Sequence, residues 1–313
     1  MSHFTVLVIG NNPEELLAPY HEFECTDIDD QYVQDVDITA EVQSHIDQYN
    51  SFKEGLKYHG LEDCIVSSET DVDKENKHKY GYAIVQDGKL IKAIDRTNPN
   101  AKWDWYLLGG RWSGYFKLKS GATGIQGERS LIGVMPGQPQ PESTTADQAF
   151  KKDIDFESMI NEAGLEAQSK YEQVMTAFGG TIPKLDYLWE NIVDSSEGQF
   201  KDMTIDQKRE FYHNQPAMKL LVEKRESNKD LFGFWFNLED YQVSKEEYVE
   251  SARNSALSTF AVIKDGKWYE KGKMGWWACV SNEKDQKDWN KEFTALVSDL
   301  PEDTLLSIYD CHI

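Results

Sequence analysis

Apolar residues run almost without a break from Phe4 to Ile9, rich in β-branched side chains, and "GNNP" at 10–13 stops them. The chain therefore opens on a buried strand. "PEELLAPY" predicts a helical turn before Pro19 interrupts it, and the acidic "EFECTDIDDQYVQDVD" predicts an extended, solvated loop. Asp37 is placed to cap a helix over about 38–57, in which Val42, Ile46, Tyr49, Phe52 and Leu56 recur at three- and four-residue spacing until Gly60. "GYAIVQDGKLIKAI" then alternates about Asp87-Gly88, a dipeptide suited to the positive φ angles of a tight hairpin turn. "KWDWYLLGGRWSGYFKLK" predicts a second hairpin that bends near Gly109 and Gly110. From Ser120 to about Gln148 the chain turns to Gly, Pro, Gln, Ser and Thr, the composition of a loop or linker.

The period then changes. Phe156, Met159, Ile160, Ala163, Ala167, Tyr171, Val174 and Phe178 line one face of a long helix that ends before Gly179-Gly180. Shorter helices follow over about 204–213 and 216–227, and Ser244 with Glu247 makes a capping box that opens a helix over 245–257. "STFAVIKDGKWYEKG" reads as a hairpin and "MGWWACV" as a strand. Residues 284–299 read as an amphipathic helix with Trp289, Phe293, Leu296 and Val297 inward, and Pro301 ends it before a closing strand over 304–313. The segments Tyr82–Leu90 and Phe260–Trp268 echo one another, sharing Ala, Asp, Gly and Lys ahead of a Trp-rich stretch. That echo fits either a duplicated unit or the likeness any two Asp-Gly hairpins share.

These elements predict an α+β fold: a mainly antiparallel sheet with packed helices, adjacent N- and C-terminal strands, and a helical insertion in the middle. The expected layout is an N-terminal α/β part over 1–118, a flexible linker over 119–150, a helical part over 151–258, and a hairpin-strand-helix-strand unit over 259–313 that completes the N-terminal sheet.

Composition narrows the function. With 39% hydrophobic and 12% aromatic residues, the chain is not of the disordered class. Lys and Arg total 33 against 55 Asp and Glu, a net charge of −22. Such a field repels phosphate backbones and anionic membranes, so neither direct nucleic-acid binding nor membrane association is expected. It suits a well-solvated cytoplasmic surface, or an inhibitor that imitates DNA, although the acid is spread along the chain. Cys25, Cys64, Cys279 and Cys311 form no CxxC pair, which argues against a structural zinc of the usual kind and for a reducing cytoplasm. No apolar run approaches the roughly 20 residues of a membrane span. Gly-rich phosphate loops, GxSxG and HExxH are missing, against the common nucleotide-binding, serine hydrolase and zincin classes.

The chemistry gathers at the chain ends. Alternation puts His3 on one face of the first strand, and Asp310 and His312 on one face of the last, with Cys311 opposite. If those strands pair antiparallel, residue 3 falls near 312, and His3, Asp310 and His312 become the candidate catalytic group. Two imidazoles could act as acid and base with Asp310 orienting one. Alternatively, the same three could ligate Zn²⁺, Fe²⁺ or Mn²⁺. The cofactor is left open, a divalent metal being the candidate, and hydrogen-bonded strand ends are the plainer reading. "HFT" matches half of the paired His-x-Thr signature of two-histidine phosphoesterases, but the second half is missing.

In "WDWYLLGGRWSGYF", Arg111 is the candidate for anion recognition, Trp103 and Trp105 for stacking, and Gly109 and Gly110 for close backbone approach to a ligand. The same aromatics could simply pack a sheet. "YHEFEC" offers His21, Glu22, Glu24 and Cys25, read as an exposed polar loop, and His45, His59, His78 and His213 read as surface residues.

Taken together, "SHFTVLVIG", "WDWYLLGGRWSGYF", "DGKWYEKGKMGWW" and "LLSIYDCHI" resemble an uncharacterised family of proteins from tailed phages and bacterial genomes. The resemblance spans most of the chain, weakest in the linker and central helices, and brings no activity with it. It implies a phage or prophage accessory role in the host cytoplasm, where modulation of host defence or host enzymes is common. The expected function is then a polar and aromatic pocket that binds or processes a small phosphorylated or nucleotide-like molecule. The alternative is an acidic inhibitor that covers a host protein without catalysis. Its partner is accordingly a small anionic ligand or a host protein, and whether the chain is an enzyme stays open.

Overall fold

The computed structural model describes residues 2–22, 30–129, 144–194, 198–233 and 236–313, and the chain divides into two compact units. The first comprises 1–154, 259–285 and 295–313; the second comprises 155–258 and 286–294.

In chain order the first unit begins with β1 (His3–Ile9), α1 (Pro13–Leu17), β2 (Gln34–Asp37), α2 (Thr39–Tyr49), α3 (Phe52–Tyr58), β3 (Ile65–Val66) and β4 (Gly81–Gln86). It continues with β5 (Lys89–Thr97), β6 (Trp105–Leu108), β7 (Phe116–Lys117), β8 (Thr145–Ala146) and β9 (Gln148–Phe150). The second unit holds α4 (Phe156–Ala177), α5 (Trp189–Val193), α6 (Ile205–Asn214), α7 (Pro216–Ser227) and α8 (Lys245–Ser255). The chain then adds β10 (Ala261–Lys264), β11 (Lys267–Glu270), β12 (Lys273–Met274), β13 (Val280–Ser281), α9 (Gln286–Val297) and β14 (Leu305–His312). This is the expected α+β fold, with the two terminal strands adjacent.

The main sheet runs β11-β10-β1-β14-β6, with β9 also pairing β14. Only the β1–β10 pairing in it is parallel. His3 lies opposite His312 and Thr5 opposite Asp310. The ladder continues to the chain ends, with Ser2 and Ile313 exchanging both backbone hydrogen bonds at 3.1 Å.

Because side chains alternate, Phe4, Val6, Val8, Tyr309 and Cys311 fall on one face and join Leu17, Trp103, Ala261 and Ile263 in a core cluster. Leu7, Val262, Leu306 and Ile308, on the other face, are buried as well. A strand buried on both faces needs apolar residues at successive positions, which accounts for the unbroken run in β1. Each fully buried Val, Leu or Ile is worth about 1.5–3 kcal/mol. The terminal strands are thus buried on both faces, and their polar tips are held by the sheet.

The second sheet runs β2-β5-β4-β3 and packs through Ala83 and Ala93 against Val42, Leu56 and Leu61 of the helical side. Both Asp-Gly hairpins form, with positive φ at Asp87 and Gly88 and at Asp265 and Gly266, one in each sheet. The single helix expected over 38–57 is instead two. Asn50 takes a left-handed conformation (φ 46°) that ends α2, and Ser51 Oγ accepts the Glu54 N–H to start α3.

Four further expectations change. "KWDWYLLGGRWSGYFKLK" is not a hairpin: β6 pairs with β14 and β7 with β8, because Gly109 (φ 74°) and Gly110 (φ 52°) steer the chain into a tight 3₁₀ turn over 110–112. "MGWWACV" is not a strand either. Trp277 (φ 60°) and Ala278 (φ 57°) form a left-handed turn between β12 and β13, and Ser2 Oγ pins it, donating to Gly275 O and accepting from Ala278 N–H. Part of the acidic stretch read as loop is β2, paired with β5. Within the expected linker, 144–150 carry β8 and β9, while 130–143 lie outside the described residues.

In the second unit, Asp155 caps α4 by accepting the Ser158 N–H at 3.0 Å. Capping boxes at Thr204/Gln207 and Ser244/Glu247 start α6 and α8. The core gathers Tyr171, Val174, Ala217, Leu221, Phe232, Leu238 and Tyr241.

Candidate functional site

The register of β1, β14 and β6 places Trp105, His312 and His3 in one row across three neighbouring strands, all on one face. His3 Nδ1 donates to Asp310 Oδ1 at 2.8 Å, and His312 Nδ1 donates to Asp104 Oδ1 at 2.6 Å. The two rings meet edge to face with centroids 4.9 Å apart. The tip of the sheet therefore holds two imidazole–carboxylate pairs in contact. Since carboxylates only accept, each Nδ1 carries the proton and each Nε2 is left as the basic nitrogen.

Burial makes this arrangement unusual. Asp310 is fully buried and the side chain of His3 is only 4% exposed. His312 Nε2 is buried with no hydrogen-bond partner. A buried acceptor left unmade costs about 1–3 kcal/mol and calls for an explanation. β6 and β1 flank β14 and so stand roughly 9.5 Å apart, yet the Trp105 and His3 rings approach edge to face at 6.1 Å.

Asp310 also ties the adjacent loop to the sheet. Its second oxygen accepts the Arg111 backbone N–H at 2.9 Å. A Cβ on Gly110 would lie 2.3 Å from Asp310 Cβ, and one on Gly109 would lie 2.3 Å from Asp147 Oδ2. These glycines let the backbone come close to the protein's own carboxylates, Asp147 and Asp310. Asp147 is fully buried and accepts from the backbone N–H groups of Gly114 (2.6 Å), Gly127 (2.8 Å) and Tyr115 (3.2 Å) and from Ser113 Oγ (3.1 Å). It organises the whole Arg111 loop from below.

Arg111 itself is exposed, and among the described residues no carboxylate pairs with its guanidinium. Trp105, 44% exposed, is open on its outer side. Trp103 is a core residue, its indole N–H donating to Leu17 O at 3.3 Å and its ring stacked on His21, so it offers no face to a ligand. In the "YHEFEC" segment, His21 and Glu22 are described; Glu24 and Cys25 lie outside the described residues. Behind the row, Cys311 points into the core, where burial first and Asp310 second push its thiol pKa well up.

The expected metal triad of His3, Asp310 and His312 does not present three ligand atoms together. The two Nδ1 atoms and both Asp310 oxygens are engaged with each other, with Asp104 and with the Arg111 N–H, and the three residues are not among those whose ligand atoms gather within 4.8 Å. Among the described residues, the group whose ligand atoms all lie within 4.8 Å is Glu41, His45 and His59. Sequence reading treated both of those histidines as surface residues and missed Asp104 and Asp147. Asp104 stands between two tryptophans with nothing local to mark it, and only the β6–β14 register brings it to His312.

A cleft of about 590 Å³ is lined by Asp35, Glu69, Lys74, Tyr82 and Lys92. Its lysines are already paired, Lys74 with Asp35 and Lys92 with Glu69. Comparisons with protein-family models, with curated proteins and with solved structures find no match. The functional reading therefore rests on this geometry.

Proposed function

We propose that the tip of the main sheet performs acid–base chemistry on a small phosphorylated or nucleotide-like molecule, with His3 and His312 as the proton-carrying groups. The observation that carries this reading is the buried, unpartnered Nε2 of His312 beside a second carboxylate-held imidazole. A general base needs an unprotonated nitrogen within hydrogen-bond reach of the proton it takes, and a fixed tautomer supplies one. Asp104 and Asp310 fix the tautomers and stabilise whichever ring becomes charged. The exposed Trp105 indole, in the same row as His312, offers a planar base a stacking face. Arg111 supplies the free cation for the phosphate.

In phosphoester hydrolysis, neutral His312 accepts a proton from the attacking water as its oxygen bonds to phosphorus. Protonated His3 donates to the leaving oxygen as the old P–O bond breaks, and exchange with solvent restores both rings. Such a pair contributes about 10²–10⁴-fold for each group.

The test is turnover of a panel of nucleoside monophosphates, cyclic nucleotides and aryl phosphodiesters. His312→Asn keeps a donor toward Asp104 but removes the base. It should lower kcat by about 10²-fold or more with KM little changed, whereas Arg111→Ala should chiefly raise KM. Equal turnover by the His312 variant, or no member bound or converted by the native chain, overturns the reading.

A second reading is an acidic inhibitor that covers a protein of the host, in the phage setting the sequence resemblance implies. It is supported by the net charge of −22 and by Trp277, which the left-handed turn holds 79% exposed. Its mark would be partner inhibition that survives His312→Asn and fails with Trp277→Ala.

A further inference from the structure

We propose that Glu41, His45 and His59 form a binding site for a first-row divalent cation, Zn²⁺ foremost, separate from the sheet tip. The site follows from how α2 and α3 pack. A Cβ on Gly55 would lie 2.7 Å from the Cα of Ile46, so only glycine lets the helices come this close. Residue 45 adjoins Ile46, and residue 59 lies four positions after Gly55 at the end of α3. Close packing at 46 and 55 therefore drives the two imidazoles together, with His45 Nδ1 and His59 Nε2 2.8 Å apart. Glu41, one turn before His45 on α2, adds its carboxylate, and all three ligand atoms lie within 4.8 Å of one another.

The donor set is specific in its chemistry. Two neutral imidazole nitrogens and one carboxylate oxygen suit Zn²⁺, Fe²⁺ or Co²⁺ and disfavour Ca²⁺ and Mg²⁺, which take oxygen shells. Two nitrogens on tetrahedral zinc stand about 3.3 Å apart, given Zn–N bonds of about 2.0–2.1 Å. The pair thus opens by roughly half an ångström on loading. Without an ion, a 2.8 Å contact between two ring nitrogens requires one of them to donate, so the pair shares a single proton. A bound cation takes both lone pairs, and the proton between the rings moves to the other nitrogen of the ring that carried it, so both imidazoles ligate in the neutral form.

Tyr58 packs on His45 with ring centroids 4.2 Å apart and meets His59 edge-on at 5.2 Å, fixing both rings. Glu41 is exposed, which leaves the outer side of the ion open. Three protein donors with one open position is the arrangement of a catalytic or exchangeable site rather than a closed structural one.

The test uses the tag-free full chain, stripped with EDTA and titrated with Co²⁺, whose visible absorption reports coordination, followed by displacement with Zn²⁺. One equivalent should bind with four- or five-coordinate bands. Glu41→Gln, an exposed change that leaves the fold intact, should weaken binding more than about tenfold, as losses in and around metal sites do. His59→Asn should abolish the bands, and His3→Asn with His312→Asn should leave them unchanged. Bands that survive His59→Asn and Glu41→Gln, bands lost only in the His3/His312 variant, or no saturable binding by the native chain would each overturn the proposal.

Discussion

Two pairs of histidines meet in this protein, and they meet differently. At the sheet tip each imidazole has a carboxylate on Nδ1, and the rings touch edge to face with their Nε2 atoms uncommitted. On the helix pair the imidazoles face each other nitrogen to nitrogen, with a carboxylate to one side. A carboxylate on Nδ1 fixes the tautomer of its ring and leaves Nε2 as the acceptor. Two ring nitrogens in contact can instead turn both lone pairs on one cation once the proton between them moves to the donor ring's other nitrogen. The same residue type is thus set up for proton traffic in one place and for ligation in the other, and the difference lies in whether a ring nitrogen meets a carboxylate or a second imidazole.

The largest effect expected from breaking this contrast is on stability. Asp310→Ala removes the partner of both His3 and the Arg111 N–H in a fully buried position, and should cost about 3–5 kcal/mol in urea denaturation. Glu41→Gln, at an exposed position, should change stability by no more than about 0.5 kcal/mol while eliminating most metal affinity. Equal costs at the two sites would erase the distinction between a buried proton-carrying pair and an open ligand set.

Next come the two glycines that set each geometry. Gly110→Ala drives a Cβ into Asp310 at a left-handed position, and Gly55→Ala drives one into Ile46. Each should cost about 1–3 kcal/mol. The first should reduce turnover and spare Co²⁺ binding; the second should do the reverse.

A smaller effect is alkaline. Burial raises the pKa of Cys311, Tyr309 and Tyr106 around the sheet tip. Their folded values exceed the unfolded ones, so the unfolded chain ionises first. The stability they protect is complete below the unfolded thiol value near 8.5 and falls as pH rises beyond it, by up to about 1.4 kcal/mol per pH unit for each group. Urea midpoints between neutral pH and about pH 10 should show the decline, and Cys311→Ala should make it shallower. The smallest effect on stability should come from Trp105→Ala, under about 1 kcal/mol because the indole is half exposed. That change should nonetheless speed modification of His312 by diethyl pyrocarbonate, while His45 and His59 react as before.

Much of the fold could be read from the chain. The apolar run of β1, the Asp-Gly turns, the helical periodicity of α4 and the capping box of α8 are local signals, and each formed as read. The juxtaposition of His3 with His312 also followed from strand alternation once terminal pairing was assumed. What could not be read was non-local. The Gly109-Gly110 segment looks like a hairpin until β14 and β8 are available as partners, and Asp147 reaches that loop only through tertiary packing. Trp103 and Trp105 are two residues apart in one aromatic stretch, yet one is core and the other surface. The Glu41–His45–His59 cluster depended on a helix break at Asn50, which periodicity alone ran straight through.

The central claim is that His312 is held as a shielded base by Asp104, next to a second such imidazole. Its most direct test is nitrogen-15 NMR of the imidazole rings with and without adenosine monophosphate. The account predicts the Nδ1–H tautomer for His312 and a shift of both the His3 and His312 ring signals when the nucleotide is added. A proton on Nε2 of His312, or rings indifferent to the nucleotide, would contradict it.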